Sequence, residues 1–301
     1  MLLRYYGHLL ALISVIVWGS TFISTKVLLQ DLSPIQILFY RCIVAWIVLA
    51  IIRPKFFYKI NIKNELLYFL ASLFGVSIYF LFENYALQMT YASNASLIVT
   101  TSPIISTVFI FLLFKQNNFN RKNLLGTLIS IIGVYLVIKE GSLDININPK
   151  GDLLALLAAI VWSLFAITLD CIDDEIDTII RVRKIFAYAI ITIFIVMLFL
   201  NESFLNHHFF ATSDLYNILF LGIVASGACY IFWNKAVEYI GVSKTMLYMY
   251  LVPVTTIVMG YFILSEKMSS VMVLGSCMII IGIVVFNMNK SKQAKVLQEE
   301  S

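Results

Sequence analysis

Long apolar stretches separated by short polar ones make up most of the chain. Ten of them contain the roughly 20 predominantly apolar residues that a helix needs to cross the hydrocarbon core of a bilayer. Their approximate limits are 8–28, 35–52, 65–86, 92–114, 122–138, 152–172, 182–200, 215–236, 243–264 and 270–288. The pattern predicts an all-α membrane protein with ten transmembrane helices. The longest polar interruption, 139–151, is predicted to be a linker, and 289–301 a polar tail.

The pattern occurs twice along the chain. Matched residues recur at a nearly constant offset: Trp18 and Trp162 lie 144 residues apart, while Asn84 and Asn234, like Pro103 and Pro253, lie 150 residues apart. An internal repeat of this length predicts two related units, 8–138 and 152–288. Each unit has five predicted spans, an odd number, so the second unit should cross the membrane in the reverse direction. Inverted repeats of this kind recur in secondary transporters.

Composition excludes a water-soluble fold. The chain is 61% hydrophobic and 13% charged, whereas soluble domains are about 45–50% apolar and about 25% charged. It has no basic block with interleaved aromatic residues, so nucleic-acid binding is not supported. Arg4 precedes the first apolar stretch as in a signal peptide, but no small-residue cleavage site follows. The first stretch is therefore predicted to be a retained span.

The distribution of basic residues predicts the orientation in a cell membrane. With the N-terminus in the cytoplasm, fifteen of the 21 Lys and Arg residues fall on the cytoplasmic side, as the positive-inside rule requires. Two lie within spans, Arg41 and Lys235, and four lie outside, Lys26, Lys139, Lys150 and Lys267. Both termini are then cytoplasmic, and the linker 139–151 is extracytoplasmic.

Several short motifs, in this order along the chain, are similar to those of the EamA-type transporters of the drug/metabolite transporter superfamily. In the first unit they are Trp18-Gly19-Ser20, Lys26, Pro34, Arg41, Ala45, Asn84-x-Ala86-Leu87, Pro103, Gly126 and Gly133. In the second unit they are Trp162, Asn234-x-Ala236, Pro253, Leu264-Ser265-Glu266, Gly275 and Gly282. The resemblance covers nearly the whole chain. It implies ten helices around a central cavity and permeation of a metabolite, often export of amino acids or related compounds.

Ionisable residues inside spans are costly and are candidates for function. Glu83 and Arg41 both fall in the outer half of the membrane, so we predict a contact between them, either as a structural ion pair or as part of substrate binding or coupling. Lys26 and Lys235 are predicted to extend toward the membrane surface. The second unit has Trp233 where the first has Glu83, so this position can carry the specificity of the protein.

Polar and aromatic residues at mid-depth are the candidate cavity lining. Two related spans carry polar side chains on one helix face, and tryptophan, which prefers membrane interfaces, lies near the middle of two matched spans. The candidates are Trp18, Tyr79, Glu83, Asn84, Trp162, Tyr230 and Asn234. Hydrogen bonding between helices, or packing in the bundle core, is the alternative explanation.

Proline and glycine mark special positions in matched spans. Pro103 and Pro253 are predicted to kink the fourth and ninth spans, either as bend points for gating or as static kinks that shape the cavity. Nearby hydroxyl groups can bind the carbonyl groups that a kink leaves free. The paired glycines, Gly126 with Gly133 and Gly275 with Gly282, are predicted to allow close packing of helices.

The sequence predicts a secondary transporter that moves a small organic metabolite, an amino acid or an aromatic or cationic compound, and exports it by alternating access. The expected partners are this substrate and the bilayer, with proton coupling left open. No cofactor or metal is predicted, because the four cysteines and three histidines lack ligand spacing. The alternative is a membrane-embedded metal-dependent enzyme that uses the acidic loop 170–177.

Overall fold

The computed structural model describes residues 2–55, 61–114, 121–141, 149–172, 176–205, 212–266 and 269–287. Most of these residues lie in helices, and none of them forms a strand. The α-helices are α1 (Leu2–Leu28), α2 (Pro34–Ile52), α3 (Ile62–Ser72), α4 (Ile78–Met89), α5 (Ala92–Val99), α6 (Ser102–Phe114), α7 (Arg121–Gly141), α8 (Pro149–Asp170), α9 (Thr178–Phe199), α10 (Thr212–Leu219), α11 (Cys229–Ile240), α12 (Val242–Met246), α13 (Val252–Ile263) and α14 (Ser270–Asn287). The prediction of an all-α protein is confirmed.

Seven helical segments are long and apolar enough to cross a membrane. They are Leu3–Leu28, Pro34–Ile52, Ile62–Met89, Pro149–Leu169, Thr178–Phe199, Ser213–Ile240 and Lys244–Ile263. The predicted number of ten is not confirmed. The stretch predicted as the fourth span is divided between α5 and α6, and α7 and α14 contribute the shorter apolar segments Leu124–Gly133 and Val273–Gly282.

Some helix ends follow directly from the local sequence. Ser33 and Gln36 form a capping box at the start of α2, where Pro34 takes the first helical position. The missing N–H of proline is no loss there, because a helix leaves its first amides unpaired in any case. The side chain of Asp177 accepts a hydrogen bond of 2.8 Å from the backbone N–H of Ile179 at the start of α9.

The last helices of the two predicted units, α7 and α14, pack against each other in backbone contact. A Cβ atom added to Gly133 would lie 2.7 Å from the carbonyl oxygen of Gly275, and one added to Gly282 would lie 2.6 Å from that of Gly126. Close packing at these glycines is therefore confirmed. The two helices are antiparallel, and exchanging the matched glycines converts one contact into the other.

A wide, π-helical segment interrupts the third span of each predicted unit. Leu73–Ser77 joins α3 to α4, and Phe220–Ala228 joins α10 to α11. In each, a backbone N–H bonds five residues back, from Ile78 to Leu73 and from Cys229 to Val224. Such segments often mark functional positions in helices. The hydrophobic pattern did not predict them.

The predicted kinks lie where one helix changes to the next: residues 100–101 separate α5 from α6, and a 3₁₀-helix, Leu247–Leu251, leads directly into α13. We call each of these changes a break. Pro103 is the second residue of α6 and Pro253 the second residue of α13, so each proline begins a helix rather than bending one. Before the first break, Thr100 Oγ1 donates to the carbonyl oxygen of Ser96 and Thr101 Oγ1 donates to that of Ile98, both at 2.7 Å. These two carbonyl groups also accept the backbone N–H of Thr100 and of Thr101, so they are not groups that the proline leaves free. The two units therefore share the position of the break.

Candidate functional site

A small, partly open cavity lies where the two predicted units meet. Both units supply its walls, and each wall residue is less than a tenth exposed. The lining consists of Trp18, Thr21, Phe22, Arg41, Tyr79, Phe80, Glu83, Val99, Trp162, Tyr230, Met249 and Val252. Three pairs of lining residues occupy matched positions: Trp18 with Trp162, Phe80 with Tyr230, and Val99 with Met249. Both predicted units therefore contribute equivalent positions to the cavity wall.

Aromatic rings packed edge to face form one side of the cavity. The ring centroids of Trp18 and Trp162 are 5.7 Å apart at an interplanar angle of 84°. Tyr230 lies 5.7 Å from Trp18, and Tyr79 lies 4.8 Å from Trp162. These separations and angles are typical of favourable aromatic pairs. Four of the residues predicted to line a cavity therefore meet in one cluster.

Hydrogen bonds from this cluster end on the two π-helical segments. Trp18 Nε1 donates to the carbonyl oxygen of Ala225 at 3.0 Å, and the Tyr230 hydroxyl donates to that of Gly75 at 2.8 Å. The two acceptors are matched positions of the two units, 150 residues apart. A buried indole or phenol needs such a partner. The π-helical segments therefore fix the orientation of two cavity rings.

Arg41 is a fully buried cation in the cavity wall, with an exposed fraction of 0%. Its Nε donates to Ser226 Oγ at 3.1 Å, and its guanidinium carbon lies 3.8 Å from the ring centroid of Phe80. A guanidinium over an aromatic face is held by the quadrupole of the ring. Nη1 has no hydrogen-bond partner within the described part of the chain. Nη1 of this buried guanidinium is therefore a hydrogen-bond donor without an acceptor among the described residues.

Glu83 is the opposite charge in the same wall, and only 1% of it is exposed. Tyr79, one helical turn earlier, interacts with its carboxylate, but Oε1 has no hydrogen-bond partner among the residues that the structure describes. The predicted contact with Arg41 is not present as an ion pair within 4.0 Å. Ser226 and Phe80 hold the guanidinium instead, so the two opposite charges share a cavity without neutralising each other at close range.

The EamA-like transporter family model matches residues 5–139 and 149–288 of the chain, in two successive copies. The chain belongs to the EamA-like transporter family. An uncharacterized transporter of Archaeoglobus fulgidus is 28% identical over 283 residues, which are 92% of this chain and 95% of that protein. The uncharacterized transporter YoaV of Bacillus subtilis is 25% identical over 283 residues, 91% of this chain and 94% of that protein.

The fold is shared with a solved structure. A crystal structure of a protein aligns with a TM-score of 0.63 at 16% identity, covering 94% of this chain and 98% of that one. Together with its apolar helices, the family match identifies this EamA-like protein as a multi-pass membrane transporter.

Two predicted lining residues of this EamA-like transporter do not line the cavity. Asn84 Nδ2 donates to the carbonyl oxygen of Pro34 at 2.9 Å and so ties α4 to the start of α2. Asn234 Nδ2 donates to the carbonyl oxygen of Tyr230 at 2.8 Å within α11. Asn84 therefore makes the hydrogen bond between helices that was the alternative explanation for polar residues in spans, whereas the bond of Asn234 stays within one helix.

The acidic loop that motivated the enzyme alternative lies partly outside the described residues, at 173–175. Asp177, at its end, caps α9 and lies 3.6 Å from Arg53 Nε as an ion pair. Within the described ranges, no group of three or more His, Cys, Asp and Glu residues could hold a metal ion. The described part of this EamA-like transporter thus gives the enzyme alternative no support.

Proposed function

We propose that this transporter is a secondary carrier that moves a small organic metabolite through the central cavity by alternating access. The observation that carries the proposal is a cavity with buried walls from matched positions of both units, Trp18 with Trp162, Phe80 with Tyr230 and Val99 with Met249. Two related units that can exchange conformations around a fixed site are the common plan of secondary transporters.

The second unit of the carrier lies inverted relative to the first in a cell membrane. The antiparallel, reciprocal contact between α7 and α14 supports this topology, because matched helices of inverted repeats run in opposite directions. The excess of basic residues on one side supports cytoplasmic termini and an extracytoplasmic linker. On this basis, the end of the bundle near His8 is the inner end, and the end near Lys26 is the outer end.

The substrate is an amino acid or an aromatic or cationic compound, and the cavity favours the zwitterion among these. Aromatic rings provide apolar and cation-binding surface. Arg41 Nη1 and Glu83 Oε1, both without partners in the described chain, are suited to a carboxylate and an ammonium group. A buried charge without a partner is costly, and a substrate with both charges relieves two such costs at once. Export is the direction that the resemblance to EamA-type transporters favours.

The breaks before Pro103 and Pro253 are the bend points of the cycle. Each lies beside the cavity and against the residue that follows a cavity tryptophan. Ser163 Oγ donates to the carbonyl oxygen of Ser102 at 2.8 Å. A Cβ atom added to Gly19 would lie 2.8 Å from the carbonyl oxygen of Val252. A change of angle at either break would therefore move a cavity wall directly.

Glu83 couples transport to proton movement in this proposal, since it is the one carboxylate among the cavity-lining residues. Replacing it by glutamine keeps the shape of the side chain and removes its ability to ionise. Glu83→Gln transport should no longer respond to an imposed pH gradient, while exchange of substrate across the membrane continues. An unchanged response to the gradient would remove Glu83 as the coupling group.

Counterflow into proteoliposomes tests the carrier proposal. Vesicles preloaded with one unlabelled amino acid from a broad panel, with aromatic and cationic compounds added, should take up its radiolabelled form. Trp162→Ala should lower this exchange by about tenfold or more, as expected for loss of a buried aromatic anchor. Tyr216→Ala, on the exposed side of α10, is the matched control and should keep it. Absence of flux for every compound in the panel would contradict the proposal.

A further inference from the structure

The turn between α4 and α5, Met89–Ala92, has one local backbone bond, from the N–H of Thr90 to the carbonyl oxygen of Ala86 at 2.8 Å, but no side-chain cap of its own at the start of α5. No basic residue lies in the last turn of α4. The N-cap residue of α5 is Tyr91, whose side chain makes no capping hydrogen bond. A helix end leaves carbonyl or amide groups unpaired, and within a membrane protein these need partners from elsewhere in the chain.

Lys26, on α1, caps the end of α4. Its Nζ donates to the carbonyl oxygen of Leu87 at 2.7 Å and to that of Thr90. A cation is favourable at this position because the carbonyl groups at a helix C-terminus carry partial negative charge. The hydrophobic pattern did not predict this contact between Lys26 and the end of α4.

Glu266, which follows α13 in the second unit, caps the start of α5. Its carboxylate accepts hydrogen bonds from the backbone N–H of Ala92 at 2.6 Å and of Ser93 at 3.1 Å. The Ser93 hydroxyl donates to it as well, at 2.7 Å. Only 5% of Glu266 is exposed. An anion from one unit thus supplies the N-cap that the other unit lacks.

Asp152, in the first turn of α8, holds the middle of the same turn. Its Oδ1 accepts a hydrogen bond of 2.6 Å from Thr90 Oγ1, and its exposed fraction is 0%. The preceding Gly151 allows this approach, because a Cβ there would lie 2.8 Å from Met89 Cβ. Three charged side chains from three separate elements therefore hold one turn. We call Lys26, Asp152 and Glu266 the outer latch.

The matched turn at the inner end, between α11 and α12, is capped locally. Gly241 follows α11 with φ of 81° and ψ of 154°, and its N–H donates to the carbonyl oxygen of Val237 at 2.8 Å. Thr245 Oγ1 donates back to the Gly241 carbonyl oxygen at 2.9 Å. These local caps stay with the helices when the helices move.

We propose that the outer latch is a gate: Lys26, Asp152 and Glu266 must leave the α4–α5 turn before the cavity opens to the outside. The proposal rests on the alternating-access function proposed above. Separating α1, α8 and the α13 end from this turn removes its remote caps, whereas separating the inner helices leaves the caps of the α11–α12 turn in place. Opening outward therefore requires these charged contacts to break, and while they are formed the carrier is closed to the outside.

Cysteine labelling from the outside tests the gate. The parent protein carries Thr21→Cys in the cavity wall, with the four natural cysteines replaced, in right-side-out vesicles. The probe is a membrane-impermeant, positively charged methanethiosulfonate. Glu266→Gln should raise the labelling rate by about tenfold, because a charge-assisted cap is weakened, and Glu266→Ala should raise it further. Glu238→Gln removes a carboxylate that pairs with Lys235 on α11 instead and should leave the rate unchanged.

The outcomes separate the gate from the carrier. If Glu266→Gln, Glu266→Ala and Lys26→Met all fold, as shown by an unchanged elution profile, and all label like the parent, the gate proposal is overturned. Exchange of the amino-acid panel is measured in the same vesicles. Continued exchange with unchanged labelling overturns the gate alone, while raised labelling without any exchange supports the gate and contradicts the carrier. Absence of both overturns both.

Discussion

The two ends of this transporter hold equivalent turns by different means. At the α4–α5 turn, groups from distant parts of the chain, Lys26, Asp152 and Glu266, supply the caps. At the α11–α12 turn, Gly241 and Thr245 supply them within the turn itself. If the outer latch is a gate, as we propose, the two ends differ in the contacts that must break before each one opens.

The largest expected effect is at the outer end. Glu266→Ala leaves the buried amides of Ala92 and Ser93 without their acceptor, and we expect it to lower the free energy of unfolding by about 2–3 kcal/mol, as for loss of hydrogen bonds to a charged group. Glu238→Ala removes the carboxylate of a partly exposed ion pair and should change it by less than about 1 kcal/mol. Reversible unfolding in mixed micelles measures both. Equal effects of the two substitutions would contradict the outer latch.

At the inner end, the backbone conformation of Gly241 carries the cap. Only glycine readily adopts a φ of 81° with a ψ of 154°, and an added Cβ would meet no atom within 4 Å. Gly241→Ala should therefore destabilise the protein through backbone strain alone, by about 1–2 kcal/mol. The same unfolding measurement applies, and no loss of stability would show that the turn adopts a different conformation in the membrane.

The smallest expected effect is at the contact between His8 and Tyr248. His8 Nδ1 lies 2.8 Å from the Tyr248 hydroxyl oxygen. This pair links α1 to the Leu247–Leu251 segment at the inner end and is partly exposed. His8→Phe removes one neutral hydrogen bond and should cost about 1 kcal/mol or less. Labelling of Thr21→Cys from the inner side should rise by less than it does from the outer side in Glu266→Gln. A larger rise would place a comparable gate at the inner end.

Much of the cavity could be predicted from the sequence, because several of its lining residues are unusual for a membrane span. Trp18 and Trp162 stood out as interfacial residues at mid-depth, and Glu83 as a charge in an apolar stretch. The sequence did not predict a role for Phe80, because one more phenylalanine in a hydrophobic helix has no distinguishing pattern. Its role over Arg41 arises from the packing of two helices, which the sequence does not encode locally.

Helix caps show the same limit. The capping box of Ser33 and Gln36 lies within four consecutive residues and can be read directly. Glu266 caps a helix that begins 174 residues earlier, so no local pattern points to it. The π-helical segments, such as Leu73–Ser77, were missed for a related reason, because the hydrophobic pattern continues through them without a break.

Reciprocal labelling of the cavity tests the central claim most directly. Thr21→Cys would be labelled by an impermeant reagent from the outside in right-side-out vesicles and from the inside in inverted ones, with and without Glu266→Ala. Alternating access predicts that the substitution raises the outside rate and lowers the inside rate. A rise on both sides would mean a continuous pore or a loosened fold, and would contradict a carrier that opens at one end at a time.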